Sequence, residues 1–348
     1  MSQFDQRTVF YDVFISADGS RLVAIGPPYL NLQSHLGHLR LTINGRATEY
    51  RTTELPKGLV ELQADLEGTE DGVFDVRISF EDFEWSQELA PCRTGKTCSL
   101  ALTTIQRDNE IRWIQDWIKY YEDEIEVGQF FIYDNDSEYQ QRLADSLPEN
   151  VFIVPWNFPF GPTESHRNKF LQAGQLNHSR LRFEHVTTFL NFDIDELLVI
   201  RDENIRSLIR TSPCVAFEQY RVPYLDTGNP EYSYADFRLR KAQPSGRARK
   251  YSFNRGKTSG NFPHCAKFDR IAAKLFPWMF VKNARVSDAY FLHYAAITTD
   301  WKSRTSHNGG MRSRLTPYPR AHQLVRDEHI RAPTRREGAA AKVHLDDT

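Results

Sequence analysis

Phe189-Leu190-Asn191-Phe192-Asp193-Ile194-Asp195-Glu196-Leu197-Leu198-Val199-Ile200 runs an apolar strand into three carboxylates. Side chains at i and i+2 of a strand point to the same face, so Asp193 and Asp195 can converge on one divalent cation. Hard cations such as Mg²⁺ and Mn²⁺ prefer oxygen ligands and bind through one or two carboxylates plus substrate phosphates. An acidic pair at a strand end therefore points to chemistry on a phosphorylated substrate. Read alone, Asp-x-Asp is equally a solvated turn or a helix cap, so the flanking segments have to decide.

Upstream, strands and helices alternate. Cys98–Ile105 reads as a buried strand, and Glu110–Tyr121 as a helix with Ile111, Ile114, Trp117, Ile118 and Tyr121 on one face. Gln129–Tyr133 is a second strand ending at Asp134-Asn135-Asp136-Ser137. A short helix over 138–146 leads to Val151–Val154, Thr163–Arg182 reads as helical, and His185–Asn191 is the strand before the acidic pair. Such alternation implies an α/β fold with a mainly parallel sheet and ligands at the carboxyl ends of its strands. Arg107-Asp108-Asn109-Glu110, Asp134-Asn135-Asp136-Ser137 and Asp193-Ile194-Asp195 all fall at such ends. Residues 1–92 differ: short strands at Thr8–Ile15, Arg21–Ile25, Leu39–Ile43, Leu59–Leu66 and Val73–Phe80 are punctuated by turns, including the hairpin signal Asn44-Gly45. They predict a β-sandwich-like N-terminal domain, which binds an acceptor or serves as structure. Beyond 200, Asn204–Arg210 reads as a helix, Cys214–Val222 as a strand, 223–265 as substrate loops and Ala289–Tyr294 as a late strand. The boundaries expected are 1–92, 97–330 and a disordered tail over 331–348.

The 348 residues are 40% hydrophobic and 13% aromatic, enough for two packed cores, and the net charge of −2 argues against a nucleic-acid binder. Cys92, Cys98, Cys214 and Cys265 are scattered without a CxxC pair, which fits reduced thiols better than disulfides or a zinc site. The start of the chain is polar and no window approaches the ~20 apolar residues that cross a bilayer. A cytoplasmic protein is expected, with peripheral contact at the inner face of the cell membrane left open. The basic run 238–257 (Arg238, Arg240, Lys241, Arg247, Arg249, Lys250, Arg255, Lys257) reads as a solvated face, a phosphate-gripping loop, or attraction to an anionic surface.

Three ordered blocks carry a family resemblance. Thr103 to Glu110 followed by Trp113 to Tyr121, then Phe130 to Ser137, then Phe189 to Val199, resemble the bacterial glycosyltransferase 2-like group related to glycosyltransferase family 92. The last block has Leu197 where that group usually has Phe. The resemblance covers roughly residues 97–305 and implies a GT-A fold, a Rossmann-like sheet that binds a nucleotide-sugar and a Mn²⁺ or Mg²⁺ ion. It implies Asp195 as metal ligand, Asp193 as a contact to the metal or the ribose, and His293 as a possible completion of the metal shell. It places Asp134 and Asn135 near the base and ribose, Glu110 with Asn109 over the nucleotide, and Lys250 and Arg255 near the diphosphate, with Lys302 or Arg304 as further phosphate contacts. The donor implied is a nucleotide-sugar, UDP-linked in the first instance. The acceptor is a glycan or glycolipid, the reaction is inverting, and the setting is polysaccharide biosynthesis.

Direct displacement requires a general base, and Asp226, in the Gly-containing loop after Cys214–Val222, is the first candidate; Glu218 and Asp269 are alternatives. Glu196 reads as a support for the acidic pair. Trp156, in a Pro-bounded loop, is a candidate sugar platform, whereas Trp113, Trp117, Tyr120 and Tyr121 read as core. Gln172 to His178 reads either as acceptor-positioning or as packing. Two other readings stay open: a metal-dependent phosphoesterase or nucleotidyltransferase, and a non-catalytic carbohydrate-binding protein.

Overall fold

The computed structural model describes residues 8–29, 37–67, 72–81, 83–92, 96–161, 169–224, 231–269, 275–297 and 315–317. The N-terminal strands are Asp12–Ile15 (β1), Arg21–Gly26 (β2), Arg40–Ile43 (β3), Arg46–Ala47 (β4), Arg51–Glu54 (β5), Val60–Asp65 (β6), Phe74–Phe80 (β7) and Phe83–Leu89 (β8). They form two four-stranded antiparallel sheets, in the orders β1-β2-β6-β5 and β4-β3-β7-β8. Asn44 and Gly45 both take positive φ, the backbone that a two-residue hairpin between β3 and β4 demands. Along β7, Phe74, Val76, Ile78 and Phe80 are buried while Asp75 and Arg77 are exposed. Phe74, Val76 and Ile78 meet Leu22, Ala24 and Leu62 of the other sheet in one core.

The next part contains Cys98–Gln106 (β9), Ile111–Ile125 (α1), Gln129–Asp134 (β10), Gln140–Ser146 (α2), Val151–Pro155 (β11), Phe170–Arg182 (α3) and Val186–Asn191 (β12). Their strands pair in parallel in the order β11-β10-β9-β12. The chain thus builds outward from β9 to β11 and then returns to β9's other side. That reversal makes the carboxyl ends of β9 and β12 a topological switch point, where α/β sheets open a crevice for ligands. Alternate strand residues feed two cores: Leu100, Leu102, Phe130 and Ile132 pack with α1, and Ala101, Phe131 and Tyr133 pack with α3.

The remaining elements are Glu196–Ile200 (β13), Asn204–Thr211 (α4), Cys214–Val222 (β14), Leu239–Lys241 (β15), Ser245–Asn254 (β16), Gly260–Phe262 (β17), Cys265–Lys267 (β18), Pro277–Phe280 (α5), Val281–Asn283 (β19), Ala289–Tyr294 (β20) and Leu315–Pro317 (β21). They extend the sheet as β12-β16-β14-β20-β13, with β19 also on β14. β12, β14 and β20 run one way, while β16 and β13 run antiparallel to their neighbours. The result is a mixed α/β fold whose large sheet is parallel in five of its eight pairings. The segment 223–265 is therefore not simply loops: it holds β16, a ten-residue strand between β12 and β14. Among the described residues no helix is long and apolar enough to cross a membrane.

Helix α3 is covered on two sides. Ten of its thirteen residues are buried, because the large sheet lies beneath it and Tyr11, Ile25, Leu55 and Leu59 close over it. His178 bonds Asp12 at 2.8 Å and Tyr133 at 2.6 Å, and Arg180 pairs with Glu61 at 3.7 Å. Burial holds His178 below the ordinary histidine pKa in spite of Asp12. Gly174 permits the close approach: a Cβ there would lie 2.9 Å from the Tyr11 ring, itself wedged against Trp156 and Phe158. Gly174→Val is expected to lower stability by about 1–3 kcal/mol through overpacking, read by urea unfolding. Wild-type stability in that variant would show that Tyr11 is not fixed there.

Candidate active site

The acidic turn is made by a change of periodicity. Phe192 and Ile194 plunge into the core beneath α1, so Asp193 and Asp195 are left together on the open side. Glu196 starts β13 and folds back, accepting a hydrogen bond from the Asp193 backbone N–H at 3.0 Å. Ligand oxygens of Asp193, Asp195 and Glu196 all lie within 4.8 Å of one another. Glu196 is thus the brace of the pair, as its place in the sequence suggested.

Four cations or potential cations face these carboxylates. Lys250, buried on β16, places Nζ 2.7 Å from Asp193 Oδ2 and 3.1 Å from Glu196 Oε2. His293, on β20 directly opposite Glu196, places Nε2 2.9 Å from Asp195 Oδ2, and its Nδ1 meets the Gln219 side-chain amide. Lys169 adds positive charge near Asp193, and His264 lies beside it with a pKa that burial holds below the ordinary histidine value. Burial opposes charge on Asp193, yet Lys250 outweighs it and holds the carboxyl below its usual range. Burial drives Glu196 up to about 8, against the pull of Lys250. Burial likewise opposes the His293 imidazolium, but Asp195 outweighs it and raises the pKa. Burial would depress Lys250, and Asp193 and Glu196 reverse that.

The donor set fits a hard divalent cation. One oxygen of each aspartate is engaged by Lys250 or His293; among the described residues the other meets only Gln172 Nε2, at 3.4 Å from Asp193 Oδ1. Asp193 and Asp195 would hold the ion. His293, with both ring nitrogens engaged, stands behind Asp195 and orients it, as outer-shell partners do.

The other expected site residues are distributed as follows. Asp134 lies at the end of β10, two strand spacings or roughly 10 Å from β12. It is buried, its carboxylate accepts from Gln106 and Ser137, and burial raises its pKa against those bonds. Asn135 donates to the carbonyls of Trp156 and Phe158 and ties down the loop after β11. Glu110 is exposed at the start of α1 and pairs with Arg112 at 2.6 Å. Arg255 is not brought to the site. It follows β16, with its backbone N–H on Thr187 at the opposite end of β12, five residues or roughly 16 Å along the strand from Lys250. Asp226, Lys302 and Arg304 lie outside the described residues.

The basic run is not one solvated face: Lys250 is buried and Arg240 lies 3.6 Å over the Tyr220 ring. Trp156 is no exposed platform either, being buried among Tyr11, Tyr133 and His178.

The sequence did not expose the bracing of the turn. Trp117 Nε1 donates to the carbonyls of Asp193 and Glu196, at 3.1 and 3.2 Å. Tyr121 donates to the Glu196 carbonyl and accepts from the Leu198 N–H, and Tyr234 donates to the Ile194 carbonyl. The core-facing pattern on α1 was visible, but not the polar tips it carries to this turn. Gln219 and His264 gave no signal, because their roles depend on long-range register, and Gln172, read only as acceptor-positioning or packing, reaches Asp193 at 3.4 Å.

Two outcomes are expected. Lys250→Met removes the ammonium that the half-buried Asp193 and the buried Glu196 face and should cost about 2 kcal/mol, less than a fully buried pair would; unchanged urea unfolding would refute the contact. The pH dependence follows from proton linkage. Glu196 binds its proton more tightly folded, so its contribution is complete below 4.5 and is lost as pH rises through about 8. His293 acts in the same direction, present below 6.5 and lost above its raised folded value. Asp193 acts oppositely, stabilising above 3.8 and losing that in acid. The metal-free protein should therefore melt lower at about pH 9 than at about pH 6, with a flatter profile in Glu196→Gln. Equal slopes in both proteins would contradict the assignment.

No family model matches the chain, and no curated protein matches it either.

Proposed function

We propose that this chain is a metal-dependent glycosyltransferase moving a hexose or hexosamine from a nucleotide-diphosphate sugar, UDP-linked in the first instance, to a glycan or glycolipid acceptor. One observation carries the reading: an aspartate pair whose ligand oxygens lie within 4.8 Å of one another shares the β9/β12 switch point with a buried lysine ammonium. A diphosphate brings dense negative charge, and that combination of cation-binding oxygens and fixed positive charge suits it. The ordered sequence blocks add a GT-A domain as the finer description of the fold.

In this reading Asp193 and Asp195 hold Mn²⁺ or Mg²⁺, which when bound supplies electrostatic stabilisation of the leaving diphosphate. His293 fixes the direction of Asp195, and Lys250 keeps Asp193 ionised at neutral pH. The nucleoside lies toward the ends of β9 and β10, where Glu110, Asp134 and Asn135 shape the crevice. The acceptor oxygen bonds to the anomeric carbon as the bond to the phosphate oxygen breaks, and Asp226 is proposed to take the hydroxyl proton. A bound donor stabilises the folded chain by mass action, about 2.7 kcal/mol at a hundredfold excess over Kd.

UDP-, GDP- and dTDP-sugars, each with and without Mn²⁺, should be compared by thermal shift. A UDP-sugar with Mn²⁺ is expected to raise the melting temperature by several degrees, and Asp195→Ala to abolish the shift and the transfer. No shift with any donor would remove the proposal. Release of nucleotide or phosphate without sugar transfer would replace it with the phosphoesterase reading.

A further inference from the structure

Leu275-Phe276-Pro277-Trp278-Met279-Phe280 leads into β19 and turns its large side chains outward. Leu275 is 63% exposed, Phe276 43%, Trp278 61% and Met279 57%, four of the six exposed large hydrophobic residues among those described. Scattered exposed apolar residues need no explanation, but a contiguous cluster marks an interaction surface. The cluster is braced from below. Phe280 meets Phe268 at 5.4 Å, Phe276 and Trp278 pack edge to face at 5.3 Å, and β19 is in register with β14.

The rim is basic. Lys282 and Arg285 are exposed just beyond the cluster, and Arg249, also exposed, bonds Asn283 at 3.0 Å. Among the described residues of 267–285, Lys267 pairs with Asp269 at 3.8 Å, which leaves Lys282 and Arg285 as the net positive charge beside the cluster. Trp, Phe, Leu and Met beside Lys and Arg is the chemistry of a surface that enters the headgroup–acyl boundary while its cations rest on lipid phosphates. Two copies meeting face to face would bring like-charged rims together, which disfavours self-association here.

We infer that this surface docks the protein on an anionic lipid bilayer, with Leu275 to Met279 inserted and Arg249, Lys282 and Arg285 on the headgroups. The inference stands independently of the reaction assigned above. Val281 faces Cys214, three residues along β14 from Phe217, which faces Lys250. The cluster therefore lies beyond the amino end of β14, roughly 10 Å or more along the strand from Lys250 and toward the end of the sheet away from the acidic site.

The full chain should be sedimented with vesicles of phosphatidylcholine alone and of phosphatidylcholine mixed with phosphatidylglycerol, at low and high salt. Binding is expected on the anionic vesicles and should weaken with salt. Lys282→Glu/Arg285→Glu should lower partitioning roughly 30-fold or more. Trp278→Ser/Met279→Ser should lower it roughly tenfold or more even at low salt. All four side chains changed are exposed, and matching thermal melts would show that both variants fold. The inference is overturned if wild type stays in the supernatant, or if both variants bind as wild type does. It is equally overturned if wild type is a dimer that Trp278→Ser/Met279→Ser converts to monomer, since the patch is then a protein interface.

Discussion

The buried ammonium of Lys250 lies between the half-buried Asp193 and the buried Glu196, and the arrangement of the large sheet is what puts it there. Three carboxyl groups lie within 4.8 Å of one another, and the ammonium keeps Asp193 ionised while burial holds the proton on Glu196. Its strand, β16, runs against β12 and so carries a side chain back to the carboxyl end that parallel neighbours alone would leave open. Single removal of such a charge is far more damaging than the net worth of the ion pair, because the surviving charges stay buried. With Lys250 and His293 each taking one oxygen, the two aspartates present their remaining oxygens in a fixed direction.

The back wall of this site is aromatic, and its polar atoms are all turned one way. A tight turn after a strand leaves carbonyls that cannot join the sheet ladder, and burying them unpaired is costly. Trp117, Tyr121 and Tyr234 supply those partners from a surface that is otherwise apolar. Tyr120 extends the pattern to the Leu198 carbonyl at 2.7 Å. The turn is therefore held before any ligand arrives, the kind of preorganisation that electrostatic catalysis requires.

Much of this was readable from residues. The strands β9, β10, β11 and β12 and the helix α1 follow from local periodicity, and the Asn44-Gly45 hairpin from its turn chemistry. Strand β16 escaped because Ser245–Asn254 mixes Arg, Lys, Ser and Gly with only Tyr251 and Phe253 to mark its buried face. Its lysine stood out only through the family resemblance, which set it near a diphosphate, since nothing local reveals that Asp193 lies opposite. Arg255, five positions on, shows the converse: one stretch of sequence can serve two ends of a sheet. Trp156 was misread for a related reason, as its loop is closed by Tyr11 from the far N-terminal segment. Helix α3 hid its role because buried Gln172, Gln175, Asn177, His178 and Ser179 blur any apolar stripe.

That helix has a consequence for how this architecture can vary. A helix that lies on a sheet normally keeps a polar outer face, and the unit beneath it can then be joined to other modules freely. Here Leu55, Leu59 and Tyr11 form the roof of the same core that Phe189 and Phe253 floor. The N-terminal sheets are thus not an interchangeable attachment. Removing or swapping them would leave α3 with apolar and neutral polar groups facing water, so recombination of these two parts would have to rewrite the helix as well.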